Sequence, residues 1–113
     1  MDVKELQKDE RIALLGLLKL MIQADKEMSN EEGRELNRVA EVMGPDLWKA
    51  TKQEAMETLR TVEDIRRQAE KVERAEAREL IYELVFDMAL PGSVVDSERE
   101  ELDWLVKLWG IES

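Results

Sequence analysis

The sequence predicts an all-α fold: a single domain, residues 1–113, built as a helical bundle of five to seven helices with a pseudo-repeated helix–acidic loop–helix unit. Three observations lead there. Apolar residues recur three and four apart along most of the chain, the period of a helix with one buried face. Aromatic residues make up 4% of a chain that holds two prolines, which is poor material for many short strands and their turns. A chain of 113 residues suits one domain, which buries on the order of two-thirds of its unfolded surface and needs no staples.

The opening, MDVKELQKDER, mixes acids and bases and lacks the basic start of a signal peptide. From about Leu6 to Gln23, the residues Leu14, Leu15, Leu17, Leu18, Leu20, Met21 and Ile22 leave little polar face. A helix that is apolar nearly all round belongs at the centre of a bundle. The run from Ile12 to Ile22, interrupted by Lys19, is shorter than the roughly 20 apolar residues of a membrane span, so a cytoplasmic location is expected.

Ser29-Asn30-Glu31-Glu32 reads as a capping box, in which Ser29 and Glu32 each take the other's free backbone N–H. Leu36, Val39, Ala40 and Met43 then form one buried stripe, and Gly44-Pro45 stops the helix. Gly33 costs that helix on the order of 1 kcal/mol against alanine, which suggests the close approach of another backbone. Asp46 is expected to cap a third helix, about Leu47 to Leu59, with Leu47, Trp48, Ala55, Met56 and Leu59 as its apolar set.

Thr61-Val62-Glu63-Asp64 resembles a weaker cap, and from Val62 to Leu90 no glycine, proline, asparagine or serine marks a break. One helix of that length would reach about 43 Å, wider than a small domain, so a break is expected near Lys71 to Ala75. Leu80, Ile81, Leu84, Val85 and Met88 give a second strongly apolar helix, ended by Pro91-Gly92. Asp96 or Ser97 caps the last helix, whose stripe is Leu102, Leu105, Val106 and Trp109, with Gly110 closing it. Trp48, Trp104 and Trp109 are expected in the core.

Composition removes whole classes of chemistry. With no cysteine and no histidine there is no disulfide framework, thiolate metal site, histidine zinc site, Ser-His-Asp triad or Cys-His dyad. Any metal would take oxygen ligands, which favours calcium, magnesium or manganese. The formal net charge of −10 argues against nucleic acid and anionic membranes as partners.

The repeat has an offset of sixty-six residues. Leu14, Leu15 and Leu18 fall on Leu80, Ile81 and Leu84. Leu36, Val39, Ala40, Met43 and Gly44 fall on Leu102, Leu105, Val106, Trp109 and Gly110, and Glu32 falls on Glu98. The caps do not align, since Ser29 falls on Val95.

The first loop reads Ala24-Asp25-Lys26-Glu27-Met28-Ser29-Asn30-Glu31-Glu32 and the second Leu90-Pro91-Gly92-Ser93-Val94-Val95-Asp96-Ser97-Glu98. Set between an apolar helix and an amphipathic helix ending in glycine, this pattern resembles the TerB-type tellurite-resistance domain, a helical fold similar to that at the start of DjlA-type co-chaperones. Lys26 stands where that pattern has glycine, and Pro91 where it has aspartate. The resemblance implies a non-enzymatic, stress-associated binding domain whose acidic loops hold a divalent cation, with Asp25, Glu32 and Glu98 carried over as ligands. Glu27 and Asp96 complete the expected metal set of Asp25, Glu27, Glu32, Asp96 and Glu98 if the two loops meet.

Against a calcium loop of the EF-hand type, Asn30 stands where glycine is needed and Leu36 where the last glutamate is needed. Carboxylates in first turns, such as Glu31, Glu32, Glu98 and Glu100, also gain roughly 0.3–1 kcal/mol from the helix dipole with no ligand at all. The alternative function is a metal-independent helical protein-interaction module, working through an apolar groove or a basic stripe. That stripe is Arg60, Arg67, Lys71, Arg74 and Arg78 if the segment is helical throughout. An acidic protein partner would dock on Arg67, Lys71, Arg74 and Arg78; otherwise they form a solvated face with pairs such as Glu63–Arg67.

The cation reading makes a thermal prediction. An ion that binds only the folded state stabilises it by about 2.7 kcal/mol at a hundred times Kd. The melting temperature should therefore rise in millimolar calcium or manganese beyond any rise in matched sodium chloride, and Asp25→Asn should lose that increment. Equal responses at matched ionic strength would leave these acids as helix-capping charge.

Overall fold

The computed structural model describes residues 1–24, 30–89 and 96–111, with the side chains of residues 23, 24, 30–32, 89 and 96–98 outside the description. A short 3-10 turn, Val3–Glu5, leads into α1 (Lys8–Ala24), α2 (Asn30–Met43), α3 (Pro45–Thr58), α4 (Val62–Glu70), α5 (Ala75–Ala89) and α6 (Asp96–Trp109). Six α-helices and no strand among the described residues make this an all-α bundle. No helix among them is long and apolar enough to cross a membrane.

The apolar character of α1 decides the arrangement. Ile12 to Leu18 are buried without interruption, and Leu20 and Met21 with them. A helix apolar all round must be covered all round, and α1 packs against α3, α4, α5 and α6. In turn, α2 closes on α3, α5 and the 3-10 turn. The helix starts at Lys8 instead of Leu6, because Leu6 donates its N–H back to Val3 and turns its own side chain into the core.

The two pseudo-repeated units share their register. Helices α2 and α6 each span 14 residues, starting at Asn30 and Asp96, which preserves the sixty-six-residue offset. Val39 and Leu105, and Met43 and Trp109, are buried at matching positions. Gly44 and Gly110 follow at positive φ, 97° and 63°, where a side chain would strain the backbone. After Gly110 the Ile111 N–H donates to the Val106 carbonyl, the six-to-one bond of a Schellman ending.

Gly44 has a second role that the sequence reading gave to Asp46. Its N–H donates to the Ala40 carbonyl and its carbonyl accepts from Trp48 N–H, so one residue joins the ladders of α2 and α3. Pro45 takes the first helical position of α3, where its fixed φ fits and its missing N–H costs nothing. Asp46 therefore lies inside the first turn and is not the cap. Gly33 is also corrected: an added Cβ there would meet nothing within 4 Å among the described residues, so none of their backbone approaches it closely.

The long glycine-free segment does break, between Glu70 and Ala75. Thr61 and Asp64 form a full capping box at its start, Asp64 N–H donating to Thr61 Oγ1 at 3.1 Å and Thr61 N–H to Asp64 Oδ2 at 3.2 Å. The N–H of Arg60, and after it that of Thr61, donate to Asp64 Oδ2 and hold the Asp64 carboxyl below the usual carboxylate range. At its end the Lys71 and Val72 N–H groups turn back to the Gln68 and Ala69 carbonyls three residues earlier, a tightened last turn, and the Trp109 indole N–H also donates to the Ala69 carbonyl. Arg67, Lys71, Arg74 and Arg78 consequently do not share one helix, and the continuous basic stripe is corrected: Arg67 lies on α4, Lys71 caps it, Arg74 is in the link and Arg78 is on α5.

Arg74 ties that link to the start of α1. Its Nε and Nη2 donate to Glu10 Oε2 and Oε1 at 2.8 and 2.6 Å, and Nη2 also reaches the Glu5 carbonyl at 3.0 Å. Glu10 is only 3% exposed and also accepts from Gln7 N–H at 2.6 Å. Beside it, the Gln68 amide donates to the Asp9 carbonyl at 3.0 Å. The Arg74 hydrogen bonds, more than the opposing effect of burial, hold the Glu10 carboxyl below its usual range.

Glu10→Gln should cost about 2 kcal/mol at neutral pH, at the scale of hydrogen bonds to a charged group. It falls short of a fully buried pair because the Arg74 side chain is 38% exposed and solvent screens it. Because the folded pKa lies below the unfolded one, the contribution is present above the ordinary glutamate pKa of about 4.3 and lost as pH falls through the folded value. Urea denaturation should show the gap between wild type and Glu10→Gln narrowing below pH of about 4.

Candidate apolar groove between α1, α2 and α3

Met56 breaks the expected pattern of α3. It belongs to the apolar set expected of this helix, yet it is 64% exposed, while Ala55 and Leu59 are buried and Trp48 is half-buried. The reason lies in what surrounds it. Met56 helps line a groove of about 280 Å³ that is partly open to solvent.

One wall comes from α1: Leu15, Leu18, Lys19 and Ile22, spaced three, one and three apart, form one helix face, with Gly16 beside them. The other comes from α3, where Trp48, Lys52, Ala55 and Met56 share a face, with Leu59 at its end. Leu36 of α2 completes the lining. Among the described residues every other lining residue is apolar or glycine, so Lys19 and Lys52 are the two charged members there. Both are exposed, and neither is in an ion pair among the described residues.

Gly16 allows the helices to close at the base of this groove. A Cβ there would come within 2.7 Å of Leu59 Cδ1 and 3.3 Å of Ile65 Cγ1. The pattern of leucines gave no sign of this, because a glycine inside an apolar run reads only as a weak helix former.

Two other clefts lack that continuity. One of about 420 Å³ mixes Arg78 and Glu79 with Trp109 and Ile111, and the other, about 320 Å³, sets Asp2 and Arg38 among Val3, Val39 and Leu84. Arg78 is also engaged, its Nε donating to the Val72 carbonyl at 2.8 Å. Of the expected acidic-partner residues, Arg74 and Arg78 are thus held within the fold, while Arg67 and Lys71 are exposed. Arg67 lies 3.9 Å from Glu63, one of the i,i+4 pairs anticipated.

The tryptophans divide by role. Trp109 is buried and its indole N–H donates to the Ala69 carbonyl at 3.1 Å. Half-buried Trp104 carries the Arg66 guanidinium 5.1 Å above its ring, while Arg66 Nη2 pairs with Glu101 Oε1 at 2.9 Å. Trp48 is a groove wall. Tyr82 is pushed above its ordinary pKa by burial, helped by the charge of Asp103.

For the metal set, Asp25 and Glu27 lie outside the described residues, as do the side chains of Glu32, Asp96 and Glu98 on the first turns of α2 and α6. The Ser29 cap also lies outside, although α2 begins at the next residue. Among the described residues no three acids come together as a cation site. Glu10, the one buried carboxylate among them, is saturated by Arg74 and Gln7 and held ionised, the opposite of a poised proton donor.

No family model, curated protein or solved structure matches the chain.

Gly16→Val should lower stability by about 1–3 kcal/mol, because the added methyls overpack Leu59 and Ile65. Chemical denaturation checks this, and a cost no larger than that of an exposed helix position would place α1 and α3 further apart than described.

Proposed function

We propose that this chain is a non-enzymatic, metal-independent interaction module that takes an apolar segment of a partner into the groove between α1 and α3. The observation that carries the proposal is Met56, exposed by 64% of its surface next to half-buried Trp48 over an apolar-lined groove. A lone exposed apolar side chain is ordinary, as Val62 and Phe86 are here; what distinguishes Met56 is its place in the lining of an apolar groove beside Trp48. Methionine is flexible and polarizable, which suits a surface that adapts to an apolar occupant. The absence of histidine and cysteine removes the usual nucleophile–base pairs, and among the described residues the groove brings no carboxylates together.

An NMR titration of the labelled chain with a neutral amphipathic helical peptide tests this. The peptide would carry leucines along one face, glutamines on the others, and run about five turns. Resonances of Leu15, Lys19, Trp48 and Met56 should shift together, and Met56→Glu should weaken binding by at least about tenfold by placing a charge in the apolar contact. Shifts confined to the face around Arg67 and Lys71, or no binding, would sink the groove as the site.

A further inference from the structure

The groove also carries information about the charge of its occupant. Each wall is an apolar helix face interrupted once, by Lys19 on α1 and by Lys52 on α3. A lysine set within an apolar face lays its methylenes along the surface and lifts its ammonium to the mouth. Two ammonium groups therefore rise from two different helices of a chain whose net charge is −10, and neither has a carboxylate partner among the described residues.

Resting on the reading of the groove as a docking site, we infer that its occupant is an amphipathic helix of a partner protein with acidic residues on both sides of its apolar stripe. The groove is partly open to solvent, so a thin acyl chain lying in it would stay partly in water. A helix instead lowers a row of apolar side chains into such a groove and covers the opening with its own backbone. Leucine-like anchors three and four apart would meet Leu15, Leu18, Trp48 and Met56. Carboxylates flanking that row would reach the two ammonium groups, one on either side. A basic helix would be drawn by the overall charge but would set like charges together at both rims.

Three peptides with one leucine face and flanks of glutamate, glutamine or lysine, titrated into the intact chain by NMR, test this. In about 50 mM salt the glutamate peptide should bind about three- to tenfold tighter than the glutamine peptide, and about 0.5 M sodium chloride should shrink that preference. Lys19→Glu with Lys52→Glu should reverse the order of the glutamate and lysine peptides. Lys71→Glu with Lys107→Glu, an equal change of net charge at exposed positions outside the groove, should preserve the glutamate-over-glutamine preference. Both pairs lie at exposed positions, and circular dichroism verifies that the folds persist. Binding of the glutamine peptide with no charge preference, or loss of preference in the remote pair as well, would overturn the acidic occupant while leaving the groove reading intact. Failure of all three peptides to shift the groove resonances would overturn both. Groove-directed binding of laurate tighter than any of the peptides would replace the helix with an acyl chain.

Discussion

The whole structure depends on covering α1. Residues Ile12 to Leu18 are all buried, so no side of this stretch of the helix is left for water. Four other helices pack directly on it. Fitting them around one rod of 17 residues, about 25 Å long, sets how far each may run before the chain must turn back. The break after Glu70 follows from this. Val72, in the link between α4 and α5, is still fully buried, and beyond it the chain turns so that α5 also packs on α1. Polar groups met on the way must be matched, and Glu10 is the case where a charge is sealed at the entrance to α1 by a guanidinium from that same link.

Much of this was legible in the residues because it depends on local chemistry. Gly44-Pro45 and Gly110 mark helix ends through backbone conformations that the chain adopts wherever it is placed. The stripe Leu102, Leu105 and Trp109 carries its own period, as does the Thr61–Asp64 box. The break near Lys71 was legible only as an argument about length. No local residue announces it, and tertiary packing decides it. Glu10 was not legible, since a glutamate near a helix start reads as charge favoured by the dipole until a partner sixty-four positions away is known.

The groove was the least legible feature, and the cause is physical. Periodicity identifies which face of a helix is apolar but not whether that face finds a neighbour. Met56 fits the α3 pattern as well as Ala55 does, yet one is exposed and the other buried. Lys19 stood out as an interruption in an apolar run, but its meaning needed Lys52, thirty-three residues on and across the groove. The metal-ligand expectation drew on the two loops, whose acidic side chains lie outside the described residues.

Gly44 has a consequence for the kinetics of recognition. Because it ends one backbone ladder and begins the next, the corner between α2 and α3 contains no freely rotating residue: glycine is held at a positive φ and the following φ is locked by the Pro45 ring. Leu36 and Trp48, which face the same groove from either side of that corner, are therefore fixed relative to each other before anything arrives. A surface assembled in advance loses little entropy on binding. Encounter would then be limited by diffusion and orientation, not by a wait for the receptor to rearrange.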